Sequence, residues 1–106
     1  MALITLGEAK EYLRVDSSDE DAVISSLISA AETLTQDVGR IDNNTWSTLQ
    51  ILSDQDTADI IRIRSVCKVA VLYALAYLFE HREEADHHDL TITMRNLLFS
   101  VREGIV

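Results

Sequence analysis

The chain has 106 residues, 47% hydrophobic and 25% charged, and its 18 acids against 9 Lys plus Arg give a formal charge of −9. A chain of this length withdraws roughly two thirds of its unfolded surface from water, enough for one core and not for two, so a single domain over 1–106 is expected. Proline is absent and only Gly7, Gly39 and Gly104 offer glycine turn chemistry, which argues against an all-β fold, and the negative charge argues against general phosphate-backbone binding.

Thr5 stands three residues before Glu8, the spacing of a capping box, and predicts a helix from about Leu6 to Arg14 with Leu6, Ala9 and Leu13 inward. The run Asp16 to Asp21 supplies hydroxyls that cap and acids that favour a helix N-terminus, so a second helix is expected to start near Ser18. Ile24, Leu27, Ile28, Ala31, Leu34 and Val38 carry it at helical spacing, and Gly39 sits where a left-handed closing residue belongs. From Arg40 to Asp54 the period breaks down and reads as an irregular loop, with room for a short helical or extended piece. A third helix from around Asp54 to Asp56 as far as Glu83 forms the spine, on the order of 40 Å long. Between Ser65 and Phe79 its only charge is Lys68, so it must be covered on several sides. Its uncharged run, Val69 to Phe79, is well short of the roughly 18 residues a membrane span needs. Leu90, Met94, Leu97, Leu98 and Val101 define a last amphipathic helix. The expected fold is all-α: a small bundle of about four helices around one long central helix, with the irregular loop between the second and third.

Few residues suggest catalysis. His81, Glu84 and His88 would share one face of a continuing helix, with His87 nearby, as zinc ligands can; the polar exit of a helix explains the same residues. Ser65 and Lys68 match a Ser-x-x-Lys signature without its companion motifs. Cys67, alone and in an apolar helix, reads as a packed, inert thiol and excludes an internal disulfide framework; a reducing cytoplasm is the expected setting. Asn43-Asn44-Thr45 is a glycosylation sequon, of no consequence without secretion. Arg62, Arg64 and Lys68 are the nearest thing to a basic patch. Tyr73, Tyr77 and Phe79 are expected in the core. Trp46, with Leu49 following it, either anchors the loop at home or meets a neighbouring subunit, and Phe99, Ile105 and Val106 leave the same two roles open at the chain end.

Four stretches in order carry a resemblance: Leu3 to Asp16, Asp21 to Ala31 with the Gly39-Arg40 closure, Ala70 to Phe79 followed by Glu80-His81-Arg82-Glu83, and Leu97-Leu98 with Arg102. Together they resemble the head-tail connector (neck adaptor) proteins of long-tailed bacteriophages and prophages; Ile41 to Gln55 is the least similar part. The resemblance implies a structural subunit without catalysis, cofactor or metal, located in the virion neck after assembly in the bacterial host cytoplasm. It further implies a ring of about twelve copies below the portal protein. Such a ring would extend the DNA channel, support DNA packaging and join the head to a downstream neck or tail-completion protein, with no membrane partner. Arg82 and Glu83 are carried over from the family's signature as interaction candidates beside Trp46, Leu49, Phe99, Ile105 and Val106.

Two other readings stand beside this one. An acidic regulator or DNA mimic would carry its acids in a regular array along one face, whereas these cluster at Asp16 to Asp21, Asp54 to Asp59 and Glu80 to Asp89, where capping explains them. A small metal-dependent hydrolase would rest on His81, Glu84 and His88.

Overall fold

The computed structural model describes residues 3–81, 88–99 and 101. Five helices follow in order: α1 Leu6–Leu13, α2 Asp21–Gly39, α3 Asn43–Leu49, α4 Ala58–Glu80 and α5 His88–Leu97, with no strand among the described residues. α4 is the longest and packs against the other four, most extensively against α2, so the all-α bundle around a long central helix is what forms.

The capping box closes α1 as the Thr5–Glu8 spacing predicts. The Glu8 amide donates to Thr5 Oγ1 at 3.1 Å, and the Thr5 amide donates to Glu8 Oε1 at 3.0 Å. The other oxygen of Glu8 meets Lys68 Nζ at 3.3 Å, tying α1 to α4 across 60 positions of sequence. α2 begins at Asp21 rather than near Ser18, and its N-cap, Glu20, makes no side-chain cap. Asp21, its first residue, pairs with Lys10 Nζ at 2.8 Å, so an ion pair to α1 stands at this helix start in place of the expected hydroxyl cap.

Gly39 is not the left-handed residue that ends α2. It is the last helical residue, and Arg40 takes that conformation with φ 54°, as Arg14 does after α1 with φ 60°. A Cβ on Gly39 would stand 3.2 Å from Ile41 Cδ1 and 3.7 Å from Leu98 Cδ1. The glycine is there because Ile41 folds back over it and α5 passes close by.

The irregular loop contains a helix, α3, whose N-cap Asp42 accepts from the Thr45 amide at 2.7 Å. α4 starts at Ala58, later than expected, because Thr57 caps it while Asp56 is drawn away toward Arg64. It ends at Glu80, short of Glu83: His81 has left helical backbone, and its ring stacks on Tyr77 at 4.1 Å between centroids. The core joins Ile24, Ile28 and Ala31 of α2, Leu49 of α3, Cys67, Ala70, Val71, Ala74 and Leu75 of α4, and Leu90, Met94, Leu98 and Val101 toward the C-terminus. Tyr77 and Phe79 pack against it part-buried, but Tyr73 is exposed, one turn beyond the exposed Val69 on α4.

Candidate interaction surfaces

Arg64 organises the segment between α2 and α4. Only 9% of it is exposed. Its Nε donates to the Leu49 carbonyl at 2.7 Å, Nη2 donates to those of Thr48 (3.2 Å) and Ile51 (2.9 Å), and Nη1 lies 2.9 Å from Asp56 Oδ2. One planar guanidinium thus satisfies carbonyls at the end of α3 and neutralises the acid that leads into α4. The guanidinium in turn holds the Asp56 carboxyl below its ordinary range. Arg64 is therefore no part of a surface basic patch. The signal that places it lay in its spacing, since Ile60, Cys67 and Val71 stand at minus four, plus three and plus seven from it on the inward face.

Trp46 and Leu49 turn inward from α3, 8% and 1% exposed, so both pack at home. The side chains that follow do not. Ile51 is 59% and Leu52 82% exposed, on a turn whose backbone is pinned on both sides: Arg64 holds the Ile51 carbonyl, and Asp56 Oδ2 accepts from the Ser53 amide at 3.1 Å. A second exposed apolar row, Ile61, Val69 and Tyr73, runs along α4.

A groove of about 480 Å³ lies between α2 and the C-terminal part of α4, lined by Ser29, Ala30, Thr33, Leu34, Asp37 and Leu78. Asp37 also borders an adjoining recess with Val38, Arg40 and Arg95, which gathers two guanidinium groups against one carboxylate in a chain of net charge −9.

On the described part of the chain end, Leu98 and Val101 are fully buried while Phe99 is 60% exposed. Arg82, Glu83, Ile105 and Val106 lie outside the described residues, as do Glu84 and His87. His81 does not continue the face of α4, which ends at Glu80. The His81 ring turns back on its own helix, its Nδ1 2.8 Å from the Tyr77 carbonyl oxygen. No cluster of three or more His, Cys, Asp or Glu suited to a metal occurs among the described residues. Burial pushes the Cys67 thiol up to about 12, so it stays protonated at neutral pH and is a poor nucleophile. No described helix is long and apolar enough to cross a membrane.

This arrangement offers surfaces for protein contacts. A family model described as phage gp6-like head-tail connector protein matches residues 3–106. No curated protein and no solved structure matches the chain.

Proposed function

The chain belongs to the phage gp6-like head-tail connector family, a structural role at the junction of head and tail, and on that ground we propose that it is one subunit of a ring seated beneath the portal. The ring, of about twelve copies if it follows its neighbour's symmetry, extends the DNA channel and carries the next neck or tail-completion protein. The observation that supports this reading most is the match over residues 3–106, nearly the whole chain. Two features of the molecule agree with it. Apolar residues stand exposed in a row on α4 and on the turn after α3, surfaces that a lone subunit leaves wet. The net charge of −9 lets DNA pass without being gripped, where a basic lumen would hold phosphate strongly. Phe99, Ile105 and Val106 at the chain end, with Arg82 and Glu83, are our candidates for contacts to portal and neck neighbours; Trp46 and Leu49 serve by holding α3 in place.

Negative-stain electron microscopy with light scattering tests the proposal. Purified protein is expected to be monomeric when dilute and to form rings when concentrated or supplied with portal; a strict monomer under both conditions overturns the reading. Deleting residues 103–106 should weaken portal capture while leaving the helical circular dichroism intact, and unchanged capture would remove the chain end from the docking surface.

A further inference from the structure

We infer that each subunit grips the next by placing its Ile51–Leu52 tip in the groove between α2 and α4, with Asp54 meeting Arg40 and Arg95 at the groove's end. The occupant is a second copy of this chain, so the inference rests on the assembly proposed above and specifies its contact.

The tip is built in advance. Leu52, 82% exposed, projects from a turn whose flanking backbone is held by the Arg64 guanidinium and the Asp56 carboxylate. A nearly buried ion pair thus keeps two apolar side chains in water at a defined position, and a preordered segment loses little entropy when it docks. The groove offers what the tip lacks. Ala30, Leu34 and Leu78 supply apolar wall, and about 480 Å³ is room for two branched side chains.

Charge sets the direction. Copies that each carry −9 repel one another over most of their surface, yet the recess joined to the groove through Asp37 holds both Arg40 and Arg95. The acid Asp54 follows Leu52 by two residues, so the tip reads apolar then acidic, and the groove reads apolar and then opens on a recess where Arg40 and Arg95 outnumber the one carboxylate, Asp37. Complementary order of this kind selects partner and register more than it adds affinity.

The two surfaces lie on different flanks of α2. Gln50, just before the tip, lies beside the Glu32 carboxyl and helps to lower its pKa against the effect of burial. The α2 residues that line the groove, from Ser29 to Asp37, are centred roughly 130° around the helix axis from Glu32 at 3.6 residues per turn. A copy therefore offers its tip on one side and its groove on the other. Contacts of this type run head to tail and close into a ring when the rotation per copy divides a full turn.

Sedimentation velocity on the full chain, with Leu52→Asp as a disabled tip and Ala30→Arg as a plugged groove, tests this. Both positions are exposed, so the melting temperatures should match the wild type. Each variant alone is expected to associate at least tenfold more weakly than wild type. Mixed in equal amounts they should form heterodimers and stop there, because only one tip and one groove remain intact. At about 150 mM salt, where the repulsion between whole copies is largely screened, Asp54→Arg and Arg95→Glu should each weaken assembly, and their combination should recover it. If both single variants assemble like wild type, the tip and groove are not the contact, although the ring reading stands. If the variants assemble normally but fail to enter phage particles, the tip belongs to a different neck protein and the inference is overturned. A wild-type protein that never associates removes the ring reading itself, and the inference with it.

Discussion

Glu32 sits on the edge of α2 that faces the start of the chain, only 8% exposed, and accepts from the amides of Leu3 at 2.9 Å and Ile4 at 3.4 Å. Leu3 and Ile4 are themselves buried, so this carboxyl tethers the segment before α1 to the core. Burial raises its pKa above the ordinary 4.5, and the two amide bonds oppose that only in part. A carboxyl whose folded pKa is raised contributes most to stability below its unfolded value, and the contribution is lost as pH rises through the folded one. Glu32→Gln removes the titration. The variant's urea midpoint should therefore gain on the wild type as pH climbs from about 4.5 to 7 and then keep a constant offset; an offset independent of pH would show that the charge of Glu32 is of no consequence. Asp56, held low by Arg64, acts in the other direction, with stability lost as pH falls through its folded pKa.

At the scale of elements, α3 depends on α4 for its existence. Seven residues are too few to hold a helix alone in water, and α3 has Asp42 at one end and the Arg64 guanidinium at the other. Arg64→Ala leaves the carbonyls of Thr48, Leu49 and Ile51 without that donor and Asp56 without its cation. The expected cost is about 3 kcal/mol or more, against a total stability of about 5–15 kcal/mol for a domain of ordinary size. Arg64→Lys should not restore it, since one ammonium cannot reproduce a planar fork that reaches three carbonyls and a carboxylate. Urea unfolding of both variants decides the matter, with amide exchange in α3 as a local reporter. A Lys variant as stable as wild type would reduce the role of Arg64 to simple charge.

The molecule as a whole is a slab, 38 × 31 × 19 Å, with a formal charge of −9. The range of electrostatic force is about 30 Å at 0.01 M salt and about 10 Å at 0.1 M. At low salt, neighbouring copies feel one another's whole charge, whereas an exposed contact such as Asp54 with Arg95 is worth at most about 1 kcal/mol. Repulsion therefore wins, and self-association should strengthen several-fold as salt rises from about 10 to 150 mM. Light scattering at fixed protein concentration measures it. Association that falls steadily with salt would mean that charge pairs, and not apolar burial, hold the assembly.

The sequence alone determined the helical class, the Thr5–Glu8 cap, the inward rows of α1, α2 and α5, and the apolar spine, because capping and periodicity act between residues three or four apart. It placed Trp46 among residues open to two roles, and only the packing of α3 into the core buried it. Tertiary structure alone decided that Glu32 tethers residues 29 and 28 positions away, and that Arg64 reaches back 13 to 16 positions to hold α3 and the exposed tip. It also decided that Gly39 is required for closeness to Ile41 and Leu98 while Arg40 makes the turn. The reason is common to these cases. A polar or small residue on an inward face carries no local sign of its partner, and the partner is chosen only when helices distant in sequence come together.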